Sequence, residues 1–132
     1  MSEESPRTGM AQSLLREIAR ALAALAETGA CDAIDLRSLP LTGGDRADLE
    51  TALGRGEVAA TFDASGQSEV WETRHAGVWW VRHLGGDGRV AAETIEITPI
   101  PDILAAHPDD IRASAAALMA ELAETTEETA HV

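Results

Sequence analysis

The stretch that decides the fold is residues 69–98, EVWETRHAGVWWVRHLGGDGRVAAETIEIT. Apolar and polar residues alternate along it in three runs, which turn-forming sequences separate at His75-Ala76-Gly77 and at Gly85-Gly86-Asp87-Gly88. A further alternating run precedes it, from Glu57 to Asp63. Connections this short join antiparallel neighbours. The pattern therefore predicts a four-stranded antiparallel meander in which consecutive strands lie side by side.

Helical spacing of apolar residues is found on both sides of this region. Gly29 predicts the end of the first helix. Thr42, with Asp45 three positions later, predicts the N-terminal cap of a short helix over 44–53, and Pro108 at a first helical position predicts the start of a last helix. The two longer helices carry the stripes Leu14, Ile18, Leu22 and Leu25, and Ile111, Ala115, Leu118 and Leu122. We therefore predict an α+β fold, with the N-terminal and C-terminal helices packed on one face of the sheet and a short helix before it.

The length of 132 residues is that of about one domain. Residues 1–9 are polar and contain Pro and Gly, which predicts a flexible tail, and residues 124–132 form a second, Thr- and Glu-rich one. Between them, residues 10–123 are expected to form a single domain. Residues 34–41 are predicted to be an extended connector within it.

The register of the meander determines which side chains face the helices. If every hairpin loop has an even number of residues, most of the bulky apolar side chains fall on one face, because directly opposed residues share a face. This core face is predicted to comprise Val58, Phe62, Trp71, Val78, Trp80, Leu84, Ile95 and Ile97. The other side, the mixed face, is predicted to comprise Val70, Glu72, Arg74, Trp79, Val81, His83, Val90, Thr94 and Glu96. A large aromatic side chain among charged ones is typical of a binding surface, although a loop or the N-terminal segment could shield Trp79 instead.

The chain is strongly acidic. It has 23 Asp and Glu residues against 10 basic residues, all of them Arg, and a formal charge of −13. Nucleic-acid binding depends on clustered cations, whereas these arginines are scattered among carboxylates, so we expect no nucleic-acid partner. A basic protein or peptide suits this charge better, and a simpler interpretation is that the excess acid keeps the protein soluble.

Cysteine content and hydropathy bear on the compartment. Cys31 is the only cysteine, so an intrachain disulfide or a CxxC redox pair is excluded. The first residues lack the basic start and apolar stretch of a secretory signal, and no run of about 18 apolar residues occurs. We therefore expect a cytoplasmic protein without a membrane partner.

Candidate catalytic and metal-binding residues are few. His75 and His83 are close in sequence, with Glu69 and Glu72 nearby, but an even-length hairpin loop directs the two histidines to opposite faces. A metal site normally needs three or four ligands. A nucleophile elbow of the GxSxG type is absent, and the glycine-rich run at 85–88 joins two predicted strands rather than a strand and a helix. We therefore expect no metal site, no cofactor and no enzymatic activity.

Several segments carry a resemblance to a known family: residues 34–41, IDLRSLPL; 69–74, EVWETR; 77–83, GVWWVRH; 93–97, ETIEI; and 100–104, IPDIL. In this combination and order, over about residues 33–120, the chain resembles the conserved region of the HupH/HyaF/HoxQ type of hydrogenase expression and formation proteins. Family members often have Pro before the turn glycine, where this chain has Ala76. Larger members carry the region within a longer, two-part protein.

The resemblance implies an accessory role in maturing NiFe hydrogenase. It implies a chaperone-like, non-catalytic protein of the cytoplasm that associates with the iron–sulfur small-subunit precursor or with other maturation proteins. Our hypothesis is that the mixed face binds the precursor through Trp79, Arg74, Glu72, Val81 and His83. Self-association as a homodimer through the same face is compatible with this hypothesis.

A nickel- or iron-handling carrier for hydrogenase assembly is the alternative. Such a carrier would keep stoichiometric metal through purification and would lose it when His75 or His83 is changed. A small enzyme would instead need a deep pocket with converging polar groups, which these motifs do not indicate.

Overall fold

Three helices and a five-stranded antiparallel sheet are present in the computed structural model, which describes residues 6–64 and 66–130. The helices are α1, Met10–Thr28; α2, Gly43–Leu53; and α3, Pro108–Ala130. The strands are β1, Asp32–Asp35; β2, Ala59–Ala64; β3, Gly66–Glu72; β4, Val78–Leu84; and β5, Val90–Ile97. The predicted α+β class is confirmed, and the sheet has one strand more than the four predicted.

The additional strand is β1, which lies in and just before the segment predicted to be an extended connector. It pairs antiparallel with β5, with Ile34 opposite Ile95. The order of strands in the sheet is β1-β5-β4-β3-β2, so the meander is present and β1 extends it at one edge. A four-residue strand is too short for an alternating pattern to identify, and its pairing depends on a strand about 60 residues away.

The first two helices, α1 and α2, have the caps that the sequence predicts. α1 ends at Gly29, which has φ +76°, a conformation that glycine adopts readily. The Thr42 side chain accepts a hydrogen bond from the Asp45 N–H, and the Asp45 carboxylate accepts one from the Thr42 N–H, which completes a capping box on α2. Asp45 also accepts hydrogen bonds from the hydroxyl and backbone N–H of Thr8, and these lower its pKa to about 2. The segment before α1 is thereby attached to the start of α2.

The hydrophobic core lies between α1, α2 and the core face of the sheet. Trp71 and Trp80 stack at its centre, with ring centroids 5.6 Å apart and planes 9° from parallel. The buried core residues are Ala11, Leu14, Ile18, Ile34, Leu36, Leu49, Leu53, Trp71, Val78, Trp80, Ile95 and Ile97. The predicted grouping of Trp71, Val78, Trp80, Ile95 and Ile97 on one face is therefore confirmed.

The predicted pairing of β2 with β3 was wrong by three residues. Ala64 pairs with Gly66, which leaves only residue 65 between the strands, and Phe62 lies opposite Ser68 rather than Trp71. An odd-length connection moves every side chain of a strand to the other face. Phe62 therefore belongs to the mixed face, and Val58, just before the strand, is 45% exposed.

A register irregularity also moves Val90 away from its predicted place. The pairing of β4 with β5 shifts between His83 and Leu84, so that Val90 lies opposite Leu84. Leu84 in turn lies opposite Gln67, on the same side as Trp71. Val90 therefore does not belong to the mixed face, because a bulge adds one residue to one strand and reverses the alternation beyond it.

The chain divides into two compact units, Met1–Pro99 and Ile100–Val132. In the second unit α3 begins at Pro108, as predicted, and continues through residues 124–130. Its apolar side chains Ile111, Leu118 and Leu122 are each more than half exposed. The packing of this helix on the sheet, the flexibility of the two ends and the extent of a single domain stay predictions. Residues 1–5 lie outside the described residues.

Among the described residues, no helix has the length and apolar character that crossing a membrane requires.

Candidate functional site

Four of the five predicted partner-binding residues share the mixed face. Glu72 on β3 lies directly opposite Trp79 on β4, and Val81 and His83 follow on β4 at alternate positions. β4 is an inner strand, with β3 and β5 on its two sides. These four side chains therefore lie next to one another on two adjacent strands. Arg74 lies beyond the end of β3.

The centre of the mixed face is buried, contrary to the expectation of an open aromatic surface. Trp79 is 5% exposed, and Val81 and Val70 beside it are also buried. The indole Nε1 of Trp79 donates a hydrogen bond to the carbonyl of Thr98 at 3.2 Å. The alternating pattern assigned Trp79 to the correct face, but alternation carries no information on whether that face is covered.

The polar residues of the mixed face remain partly exposed. Glu72 and His83 are both intermediate in exposure. The Nδ1 atom of His83 is hydrogen-bonded to the hydroxyl of Ser68, directly opposite on β3, at 2.7 Å. This contact orients the imidazole. Of the predicted partner-binding residues on this face, the groups that another molecule could reach are therefore the Glu72 carboxylate and the His83 imidazole, not the Trp79 indole.

Arg74 supports the end of α2 and takes no part in the mixed face. Its guanidinium donates to the carbonyl of Ala52 at 2.8 Å, and its backbone N–H donates to the carbonyl of Leu53 at 2.8 Å. A Cβ on Gly54 would lie only 2.5 Å from the Nε atom of Arg74. A cation bound to the last carbonyls of a helix is favourable because those groups carry partial negative charge. The assignment of Arg74 to the predicted face was therefore wrong.

Glu93 is a buried carboxylate that the sequence argument did not single out. It is fully buried on the core face, where it accepts hydrogen bonds from Trp80 Nε1 at 2.7 Å and Arg82 Nε at 2.8 Å, and it is ion-paired with Arg46 of α2. Burial raises the pKa of Glu93, but the hydrogen bonds from Arg82, Trp80 and Arg46 outweigh burial and lower it overall. The available signal was its position two residues before Ile95, in the alternation of the core face.

The surroundings of Glu93 form a charged network at one end of the core. The guanidinium of Arg82 is 3.6 Å from both Glu50 and Glu69, and it lies over the ring of Trp71 at 5.0 Å. Arg55 lies over the same ring at 3.9 Å. The network connects α2 to β3, β4 and β5. Its groups are bonded to one another, so we assign it a structural role.

The two histidines that were considered as metal ligands lie in different surroundings. His75 is exposed in the loop between β3 and β4, whereas His83 is on the mixed face. In the part of the chain that the structure describes, no group of three or more His, Cys, Asp or Glu side chains is arranged to hold a metal ion.

Comparison with known proteins identifies the class. A family model described as the C-terminal conserved region of the HupH hydrogenase expression protein matches residues 9–125. That match defines an accessory protein of hydrogenase expression and formation. The chain belongs to this HupH C-terminal-region family.

Individual relatives agree with the family assignment. The chain is 33% identical to the hydrogenase expression/formation protein HoxQ of Azotobacter vinelandii, over 63% of this chain and 29% of that one. It is 32% identical to the hydrogenase expression/formation protein HupH of Rhodobacter capsulatus, over 66% of this chain and 32% of that one. The chain thus spans about a third of the length of these curated relatives. The solved structure of the hydrogenase expression protein HupH from Thiobacillus denitrificans ATCC 25259 is 42% identical, covers 90% of this chain and 99% of that one, and superposes with a TM-score of 0.86.

Proposed function

We propose that this accessory protein acts as a non-catalytic, chaperone-like factor in the maturation of NiFe hydrogenase and binds the iron–sulfur small-subunit precursor through the mixed face. Membership of the HupH family carries the general role. The observation that supports the face is the pair Glu72 and His83, partly exposed on strands whose central side chains Trp79 and Val81 are buried. Buried anchors make the strands rigid, and rigid elements position contact residues with little loss of conformational freedom.

The chemistry of the precursor follows from charge. This chain carries a formal charge of −13, and the mixed face presents carboxylates at Glu72 and Glu96 on either side of Trp79. A basic segment of the precursor is complementary to such a surface, and charge complementarity accelerates association and suppresses wrong partners. Trp79 and Val81 contribute in this proposal by fixing the strand beneath the contact residues.

The test is capture of the purified small-subunit precursor by the double variant Glu72→Arg/His83→Glu. We expect capture to fall by at least about tenfold, since the substitutions reverse one charge and place another carboxylate where an imidazole stood. The matched control is Glu57→Arg/His75→Glu, which makes the same substitutions at two exposed positions outside the mixed face. The control is expected to capture the precursor as the wild type does.

Two other results would contradict the proposal. Equal capture by both double variants, with unchanged circular dichroism spectra, would exclude the mixed face as the contact surface. Capture of the large subunit alone would exclude the small-subunit precursor as the partner. Metal analysis of the purified protein addresses the carrier alternative, which requires stoichiometric nickel or iron that is lost in a His83→Ala variant.

A further inference from the structure

Three of the ten arginines line one groove in the first unit of this acidic chain. Arg37, Arg46 and Arg89 surround a groove of about 740 Å³. Its other lining residues are Leu36, Leu39, Leu41, Gly88 and Val90. No acidic side chain of the described residues lines it. The groove is therefore a positive and apolar surface in a protein whose overall charge is strongly negative.

Two of these arginines are available to a ligand. Arg46 is ion-paired with the buried Glu93. Arg37 and Arg89 are exposed, and neither makes an ion pair with any residue that the structure describes. Their backbones are nevertheless held in place, because the N–H of each donates to an aspartate side chain two residues earlier, at 3.0 Å in both cases. The guanidinium groups of Arg37 and Arg89 thus line the same groove, and the backbone that carries each of them is held by a hydrogen bond.

The groove lies beside the first half of β5, where the turn Leu36–Ser38 follows β1 and contacts β5. β1 pairs with residues Thr94 to Ile97 of β5, whereas β5 begins at Val90, one of the groove residues. On that side of Val90–Glu93 no strand pairs with β5 among the residues described. Because that turn contacts β5, a ligand here meets the side chains of the groove rather than a free sheet edge.

We propose that this groove binds an acidic peptide segment of a partner protein. Carboxylates of the segment bind Arg37 and Arg89, and its apolar side chains pack on Leu39 and Leu41, which are only partly buried. Guanidinium groups form strong paired hydrogen bonds with carboxylates, which favours this chemistry. The proposal goes beyond the proposed function, because it uses other residues than the mixed face and holds for any partner that carries such a segment.

An acidic peptide fits the groove better than a nucleic acid does. Binding of a single strand relies on aromatic side chains that stack with bases, and none of the described residues that line this groove is aromatic. A short segment with a few carboxylates needs only the local positive charge, and its apolar side chains cover the partly exposed Leu39 and Leu41.

Fluorescence anisotropy with the full chain tests the proposal. The probe is a fluorescein-labelled peptide of alternating glutamate and leucine. The groove variant is Arg37→Glu/Arg89→Glu, and the matched control is Arg16→Glu/Arg20→Glu, which makes the same change in net charge on exposed positions of α1. We expect the groove variant to lose at least about tenfold in affinity, since two charge-assisted contacts become repulsive, and the control to lose less than about threefold.

Further measurements separate binding of carboxylates at the groove from effects of total charge and from binding of other ligands. Equal losses in the two variants would overturn the proposal, because total charge would then account for binding. Equal affinity for a glutamine–leucine peptide would also overturn it, since the arginines would then contribute nothing. Tighter binding of an oligonucleotide than of the acidic peptide would identify the groove as a polyanion site and reject the peptide. The milder variant Arg37→Gln/Arg89→Gln keeps the test valid if charge reversal disturbs folding, and it should also weaken binding of the acidic peptide.

Discussion

Two adjacent tryptophans on β4 show how differently the two faces of the sheet are built. Trp80 is fully buried, stacks on Trp71 and donates its indole hydrogen bond to the carboxylate of Glu93 at 2.7 Å. Trp79 is 5% exposed and donates to the neutral carbonyl of Thr98 at 3.2 Å. The two indoles are thus almost equally buried, but their surroundings and hydrogen-bond acceptors differ. The core face combines apolar packing with a buried ion-paired network, whereas the mixed face has an apolar centre and partly exposed polar side chains.

The largest effect is expected from truncating the core-face indole. Trp80→Ala should lower the free energy of unfolding by about 3–5 kcal/mol, because it creates a large cavity and removes a donor from Glu93. Trp79→Ala should cost less, since Trp79 lies outside the main core cluster. Denaturant unfolding of both variants measures the difference. A greater loss for Trp79→Ala would reverse the comparison between the faces.

Neutralising Glu93 sharpens the comparison by testing the network alone. Glu93→Gln keeps the side-chain size but removes the charge that Arg46 and Arg82 share, and we expect a loss of about 3 kcal/mol. The control is Glu69→Gln, which removes a partly exposed carboxylate 3.6 Å from Arg82 and should cost less than about 1 kcal/mol. Similar losses for the two variants in thermal or denaturant unfolding would show that burial of the network contributes little.

Replacing each indole by phenyl isolates the two hydrogen bonds. Trp80→Phe removes a donor to a charged acceptor and should cost about 1.5–3 kcal/mol, whereas Trp79→Phe removes a donor to a neutral carbonyl and should cost about 0.5–1.5 kcal/mol. The same unfolding measurement applies to both. If the order is inverted, the Glu93 carboxylate is satisfied without the Trp80 indole, and the difference between the faces lies in packing alone.

Acid titration gives the smallest and most selective readout. The pKa of Glu93 is lowered from 4.5 in the folded protein, so its contribution to stability is present above pH 4.5 and is lost as the pH falls through the lower folded value. The pKa of Asp45 is lowered from 3.8 to about 2, so its contribution to stability is likewise lost as the pH falls through that range. We expect the stability of Glu93→Gln to fall less steeply than that of the wild type just below pH 4.5. Asp45→Asn should lose stability in this pH range as the wild type does. Unfolding curves recorded at a series of acidic pH values check both, and an unchanged slope in Glu93→Gln would contradict the lowered pKa.

Local signals predicted the helices well. The capping box at Thr42 and Asp45, the stop at Gly29 and the start at Pro108 all depend on residues within a few positions of one another, and all were confirmed. The grouping of Trp71 with Trp80 was also predictable, because an even number of loop residues preserves the alternation of faces.

The errors concern features that no local pattern contains. Phe62 changed face because the β2–β3 connection has an odd number of residues, and Val90 was displaced by a bulge. The network around Glu93 joins Arg46 on α2 to strands that lie far from it in sequence. Among the predicted partner-binding residues, Glu72 and His83 retain the partial exposure that a contact requires, whereas Trp79 is buried.

The amino-acid order by itself determined where α1 ends and where α2 and α3 begin, that the strands form a meander, and that adjacent tryptophans point to opposite sides. These properties depend on backbone geometry and on neighbours close in sequence. Only the tertiary structure decided that both tryptophans are buried, that β1 joins the sheet beside β5, and that Arg37 and Arg89 meet on one groove. Such properties depend on contacts between distant parts of the chain, because burial and charge clustering arise only when separate elements pack together.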